Sequence, residues 1–146
     1  MPRFLSALLV ALALSACSES ADDKYRDEFP SIDRDLAVLA GDVAQGLRRA
    51  GGSDDPALAS EFRGYARRLG DLEGRLEDLE VPDPLARDHE QLLAPIAALH
   101  SALADVAGAA QRGDPAAARE AAIRVVREGE RLDEARRRLA RAVREL

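Results

Sequence analysis

The sequence predicts an all-α fold: an antiparallel, up-down-up-down bundle of four helices over residues 30–146. Three observations support this prediction. Apolar residues recur at alternating spacings of four and three, which is the pattern of helices that pack along one seam. Asp-Pro pairs stand at three of the expected helix starts. The connections are short, which favours antiparallel neighbours. A three-helix bundle with a separate first hairpin is the alternative left open.

The four helices are expected at about 31–50, 56–80, 84–112 and 115–146. The second helix has the most regular seam, formed by Leu58, Phe62, Tyr65, Leu69, Leu72, Leu76 and Leu79. The first and third helices repeat the same spacing. The fourth has a weaker seam, predicted at Ala122, Val125, Gly129, Leu132, Leu139, Val143 and Leu146. No segment alternates with the period of a β-strand.

The boundary signals are Asp-Pro pairs before helices and glycines after them. An aspartate caps the first free N–H groups of a helix, and a proline at the first position lacks the N–H that would stay unbonded. The pairs are Asp55-Pro56, Asp83-Pro84 and Asp114-Pro115. A residue in the left-handed region commonly ends a helix. The glycines placed for that role are Gly51, Gly52 and Gly113.

Residues 1–16 have the pattern of an export signal. Arg3 is followed by an uncharged, apolar stretch from Phe4 to Leu14. A membrane-spanning helix needs about 20 apolar residues, so this stretch is too short to span. It has the length of the apolar region of a signal peptide, about 7 to 15 residues.

The residues that follow, Leu14-Ser15-Ala16-Cys17, resemble the lipobox of bacterial lipoproteins. The resemblance implies cleavage between Ala16 and Cys17, acylation of Cys17, and attachment to a membrane through the acyl chains. Cys17 is the single cysteine, so it has no disulfide partner within the chain. The expected location is the cell membrane or outer membrane, facing the periplasm or the cell exterior. An ordinary secretory signal cleaved nearby is the alternative.

Residues 17–29 are predicted to be the lipidated cysteine and a flexible tether, because charged side chains dominate them. The bundle is therefore expected to begin at Pro30. The formal net charge of −6 disfavours a nucleic-acid partner. In its richness in alanine and arginine, the chain resembles small helical lipoproteins of high-GC bacteria, and this resemblance implies no particular activity.

The last helix is rich in arginine, but acidic residues lie one turn away from many of these arginines. Pairs at i,i+4, such as Asp133 with Arg137 and Glu134 with Arg138, are expected to neutralise much of the charge. We therefore predict a solvated, internally paired face on this helix rather than a surface for anionic lipid headgroups.

The candidate ligand-site residues surround Pro95 in the third helix. His89 occupies a seam position where an apolar residue is expected, and imidazole titrates near physiological pH. Pro95 should kink its helix, and a kink can open a pocket near His89, Gln91 and Tyr65. The alternatives are a His89 bonded to a neighbouring helix near the end of the bundle, and a bend that lets the third helix wrap a shorter first helix.

The sequence contains no recognisable catalytic motif, phosphate-binding loop or metal-ligand spacing, so we expect no enzyme, no cofactor and no metal. The favoured hypothesis is a membrane-anchored envelope lipoprotein with a structural or protein-interaction role, which predicts an exposed apolar patch for an envelope protein partner and no sizeable cavity. The alternative is a periplasmic ligand-binding or sensory bundle with a pocket near Pro95 and His89. An enzyme or metal carrier would need at least three converging oxygen or nitrogen side chains.

Overall fold

A computed structural model describes residues 20–50 and 56–146 of the chain. These residues form four helices, α1 (Ala21–Ala50), α2 (Pro56–Glu77), α3 (Ala86–Arg112) and α4 (Pro115–Val143), and a one-turn 3₁₀ helix, Asp83–Leu85, leads into α3. The sequence predictions for the export signal, for Ala16 and Cys17, and for the boundary residues Gly51, Gly52 and Asp55 lie outside the described residues.

The helices form an antiparallel four-helix bundle. Each helix packs against its neighbours along the chain, and α4 closes the ring against α1. Three ion pairs show that α1 and α2 run in opposite directions, because the residue numbers rise along α1 as they fall along α2. The pairs are Asp35–Arg75, Asp42–Arg68 and Arg49–Glu61. Apolar side chains from all four helices meet in one core. The predicted fold class is therefore confirmed, and the first two helices do not form a separate hairpin.

The first helix begins at Ala21, so the prediction of a flexible tether was wrong for residues 21–29. Tyr25 and Phe29 are each 1% exposed and continue the seam of Ile32 towards the N-terminus. Their rings stack with centroids 5.5 Å apart. Two buried aromatic side chains remove enough apolar surface from water to order a segment whose other side chains are mostly charged. Pro30 lies inside α1 on its exposed side.

This early start makes α1 a helix of 30 residues, longer than the 27 residues of α3. The expectation that a bend at Pro95 lets the third helix wrap a shorter first helix is therefore wrong. The other helices lie close to the expected ranges, although α2 ends at Glu77 and α4 at Val143.

One of the two described Asp-Pro pairs caps a helix as predicted. The Asp114 Oδ1 accepts a hydrogen bond from the Ala117 N–H at 3.0 Å, with Pro115 at the first helical position. Asp83, in contrast, does not cap α3. It opens the 3₁₀ turn, and the residue at the N-cap of α3 is Leu85, which makes no side-chain capping bond. Prolines on both sides of Asp83 restrict its backbone, and the chain enters the helix through the tighter turn.

The end of α3 agrees with the sequence. Gly113 adopts the left-handed conformation with φ of 64°, which costs glycine little because it has no Cβ. Its N–H donates to the Ala110 carbonyl at 3.1 Å, and the Asp114 N–H donates to the Ala109 carbonyl at 3.0 Å. The prediction that Gly113 ends this helix is confirmed.

By length and composition alone, the segment Asp83–Arg112 is apolar enough to cross a membrane. In the bundle, half of its most apolar stretch is buried, and α3 packs against α2 on one side and α4 on the other. Its apolar character is therefore accounted for by its place in the core.

Candidate functional site

An apolar groove of about 260 Å³ lies between α1 and α4. We call it the α1–α4 groove. Its walls include Ala40 and Ala44 of α1 and Val126 and Gly129 of α4, and its floor contains Leu103 of α3. The groove therefore leads from the surface to the leucine core of the bundle.

Small residues on facing helices leave this groove open. Ala40 and Ala44 line one wall and Gly129 lines the other. A Cβ added at Gly129 would meet no atom within 4 Å, so there is unfilled space beside α4. Consistent with this gap, the packing of α1 against α4 is less extensive than the packing of α3 against α4.

Two large apolar side chains beside the groove are exposed to solvent. Ile123 is 68% exposed and Val126 is 51% exposed, and the two residues lie one helical turn apart on α4. Scattered exposed apolar residues are common in soluble proteins, but Val126 also lines the α1–α4 groove. Ile123, Val126 and the groove thus form one continuous apolar area, of the kind that marks binding surfaces. We call Ile123 and Val126 the α4 patch.

Ile123 and Val126 lie outside the seam and the site residues predicted from the sequence. The available signal was the segment from Ile123 to Val126, in which three β-branched residues stand among four positions. The seam of α4 uses only Val125, which is 2% exposed. The other two β-branched residues are therefore left on the outer side of the helix.

An ion-pair cluster joins α1 to α4 at one end of the groove. The Arg136 guanidinium donates to Asp33 of α1 at 2.7 Å and to Asp133 of α4 at 2.9 Å. Burial alone would lower the pKa of Arg136, but the hydrogen bonds to the two carboxylates outweigh it and raise the pKa. Arg136 thus stays charged and clamps α1 to α4 beside the groove.

The pairs predicted on the last helix are also present. Arg137 contacts Asp133 at 2.7 Å and Arg138 contacts Glu134 at 3.0 Å. The predicted internal pairing of this arginine-rich face is confirmed at these positions.

The structure does not bring His89, Gln91 and Tyr65 together. His89 is buried and hydrogen-bonded to Tyr25 of α1. The Gln91 Oε1 accepts from Arg138 of α4 at 2.7 Å. Tyr65 donates to Glu61 on its own helix. Each of the three predicted ligand residues thus has a partner in a different part of the bundle.

The contact between His89 and Tyr25 joins α3 to α1 across the core. The Tyr25 hydroxyl and the His89 Nδ1 lie 2.8 Å apart, and the two rings meet edge to face at 5.8 Å. Burial raises the pKa of Tyr25 far above its ordinary value and lowers the pKa of His89. The contact therefore joins a neutral phenol to a neutral imidazole.

This buried histidine predicts a pH-dependent stability. Unfolded histidine has a pKa of about 6.5, and burial lowers the pKa of His89 in the folded protein. Its contribution to stability is present above pH 6.5, and it is lost as the pH falls because the unfolded chain takes up the proton first.

We expect urea unfolding between pH 7.5 and pH 5 to show a smaller acid-induced loss of stability for His89→Gln than for the wild type. His100→Gln, at an exposed position, is the control. Equal pH slopes for wild type and His89→Gln would contradict the assignment.

A second groove, of about 420 Å³, lies at Pro95 between α3 and α4. The sequence predicted a pocket near Pro95, and Gln91 lines this groove, whereas His89 and Tyr65 are not among its lining residues. Its other polar residues include Glu128 and Arg131 of α4. A groove is thus present at Pro95, but two of the three residues predicted to line a ligand pocket there do not line it.

Glu128 occupies a seam position of α4 that the sequence analysis assigned to Gly129. Glu128 is 6% exposed, and its carboxylate accepts from Arg127 at 3.0 Å and Arg131 at 3.2 Å. Burial would raise the pKa of Glu128, but the hydrogen bonds and charges of the two arginines outweigh it and lower the pKa. The charge is therefore satisfied within α4.

The seam of α4 also runs through Ala121, which is buried, rather than through Ala122. The seam is thus displaced by one position at both Ala121 and Glu128 relative to the prediction. As a result, Ala122 and Gly129 lie at the edge of the core.

Within residues 20–50 and 56–146, no group of three or more histidine, cysteine, aspartate or glutamate side chains converges in a way that could hold a metal ion. Comparisons of the chain with protein-family models, with curated proteins and with solved structures found no match.

Proposed function

We propose that this chain is a membrane-anchored envelope lipoprotein with a non-catalytic structural or protein-interaction role, and that it binds protein through the α1–α4 groove and the α4 patch. The observation that carries the proposal is the position of Val126. Half of this side chain is exposed to solvent, and the same side chain forms part of the groove wall. Anchoring through acylated Cys17 rests on the lipobox resemblance.

The apolar area has the layout of a protein-binding surface. Exposed apolar surface costs about 25 cal/mol for each Å² left in water, so covering Ile123 and Val126 with another protein is favourable. A groove that accepts an apolar side chain is a common anchor point in such interfaces. Charged residues, including Glu130 and Asp133, border the groove and supply the polar rim that interfaces carry.

The ligand-binding alternative near Pro95 has weaker support. His89, its central residue, already has a buried hydrogen-bond partner in Tyr25. In the Pro95 groove, Gln91 and Glu128 are bonded to arginines of α4. A small ligand would have to replace these contacts.

The proposal is tested by placing a photo-crosslinking amino acid at Val126 in the full-length chain, expressed in a bacterial envelope. The matched control is Val38, an apolar residue of α1 that is 53% exposed and does not line the α1–α4 groove. We expect a protein adduct from position 126 and none from position 38. The adduct should weaken when Ala44→Leu fills the groove and persist with Gly41→Leu, which places the same side chain in open space.

Adducts at both positions, or at neither, would refute the proposed surface. The anchor is tested in the same cells by the intact mass of the chain, which should begin at an acylated Cys17. A Cys17→Ser variant should lack the acyl mass and leave the membrane fraction. An unmodified cysteine in the wild type would refute the anchoring.

A further inference from the structure

We propose that the protein bound at the α4 patch is a second copy of this chain, with the two α4 helices packed antiparallel around a two-fold axis. This inference rests on the proposed protein-binding role and names its partner. It starts from a row of four exposed residues on α4: Arg119, Ile123, Val126 and Glu130.

The spacing of these four residues places them on one face of α4. They follow one another at intervals of four, three and four, the spacing of a helix-packing seam. The helix therefore carries two seams. One faces the core through residues such as Val125 and Leu132, and the second faces solvent. We call the second one the outer seam.

The outer seam is complementary to a second copy of itself that runs in the opposite direction. A two-fold axis between residues 124 and 125 places Arg119 of one copy opposite Glu130 of the other, and Ile123 opposite Val126. All four positions are thus matched at once, basic with acidic and apolar with apolar. A two-fold interface requires this kind of self-complementarity. A parallel, in-register pair would instead put each charge opposite its own kind.

The two charged ends of the outer seam have no ion-pair partner among the described residues. The neighbouring arginines of α4 do have partners: Arg124 contacts Asp105 at 2.9 Å, and Arg127 and Arg131 contact Glu128. No such contact is formed by Arg119 or Glu130 with the described part of the chain. Both side chains are therefore available to a second α4.

Small residues beside the outer seam allow a second helix to approach closely. Ala122 and Gly129 flank Ile123 and Val126, and neither side chain extends beyond a methyl group. Gly129 also lines the α1–α4 groove, as does Val126. In the antiparallel register, the Ile123 side chain of the second copy lies against Val126 and covers the groove from outside.

Cysteine crosslinking distinguishes the two registers. Arg119 and Glu130 lie eleven residues apart, about 16 Å along the helix at 1.5 Å per residue, whereas a disulfide needs Cα atoms within about 7 Å. In the antiparallel pair, Arg119→Cys alone and Glu130→Cys alone therefore cannot crosslink. A mixture of the two single variants can.

The experiment uses the full-length chain in detergent under mild oxidation. The wild type shows how much covalent dimer forms through Cys17 alone. We expect covalent dimers from the mixture only. Crosslinking by either single variant alone would indicate a parallel pair and overturn the proposal. No crosslink in any sample, together with a monomer in analytical ultracentrifugation, would also overturn it.

Charge reversal provides an independent test of the same contacts. Arg119→Glu alone places two acidic side chains opposite each other twice in the dimer, and Glu130→Arg alone does the same with basic side chains. Each should weaken dimerisation about tenfold or more, because facing like charges oppose association. The double variant Arg119→Glu/Glu130→Arg restores complementarity and should return the dimer to near wild-type strength. Additive weakening in the double variant would contradict the pairing.

The mass of the Val126 photo-adduct separates this inference from the proposed function. An adduct of twice the chain mass supports the second copy. An adduct of another mass would refute the second copy and leave a protein-binding surface in place. Absence of any adduct would refute both.

Discussion

Replacing Phe29 with alanine is expected to lower the free energy of unfolding by about 3–5 kcal/mol, the usual cost of removing a buried phenylalanine side chain. Phe29 is 1% exposed and stacks on Tyr25, so the truncation removes core contacts and leaves a cavity. The measurement is urea unfolding followed by circular dichroism.

The neighbouring residue is the matched control for this prediction. Pro30 lies inside α1 but is exposed, and proline in a helix interior removes a backbone hydrogen bond. Pro30→Ala should therefore leave the stability unchanged or raise it. A loss of about 0.5 kcal/mol or less for Phe29→Ala would be the value of an ordinary surface substitution and would show that residues 21–29 do not belong to the bundle.

Gly46→Ala should also destabilise the bundle, by about 1–3 kcal/mol, the typical cost of overpacking. Gly46 lies where α1 passes closest to Tyr65 of α2. A Cβ at this position would stand 3.0 Å from Cε2 of the Tyr65 ring and 3.1 Å from its hydroxyl oxygen. Because Tyr65 is buried and bonded to Glu61, the ring has little room to move.

Gly41 offers the opposite case on the same helix. A Cβ at Gly41 meets nothing within 4 Å, so Gly41→Ala should stabilise α1 by about 0.5–1 kcal/mol through the better helix propensity of alanine. Thermal unfolding of the two variants should shift in opposite directions. A gain of stability in both would show that α1 and α2 are not in close contact at Gly46.

Periodicity predicted most of the fold because the seam residues of α2 are uniformly apolar and those of α3 are apolar except for His89. The exception is the start of α1, where the charged composition indicates a tether but the spacing indicates a helix. Tyr25 and Phe29 stand four residues apart, and Ile32 follows after three more, so the seam was present among the charged residues. Two aromatic residues at seam positions were enough to extend the helix.

The candidate site was less predictable, because it depends on contacts between distant residues. His89 was recognised as unusual, but its partner Tyr25 lay in the segment interpreted as a tether. Tyr65 and His89 both occupy seam positions, but seam position alone does not show that antiparallel packing puts Tyr65 beside Gly46, near the other end of α1. The groove depends on a gap between α1 and α4, and no single-helix pattern reveals a gap.

Glu128 illustrates a further limit of pattern reasoning. An uncharged glycine at the next position looked like the better seam residue. The carboxylate nevertheless takes the inner position, because Arg127 and Arg131 of the same helix neutralise it.

The early start of α1 also determines how the protein would stand on a lipid surface. If Cys17 carries the proposed anchor, the four residue steps from Cys17 to Ala21 reach at most about 14 Å, so the bundle would lie close to the lipid surface. About 28 Å of α4 separates the proposed two-fold axis from the C-terminal end of that helix, which lies beside the start of α1. Antiparallel pairing then places the two anchored N-termini at opposite ends of the dimer. Two chains anchored in one bilayer with their helices perpendicular to it cannot adopt this arrangement. Two chains anchored in facing bilayers can, and such a dimer would hold the two bilayers at a fixed distance.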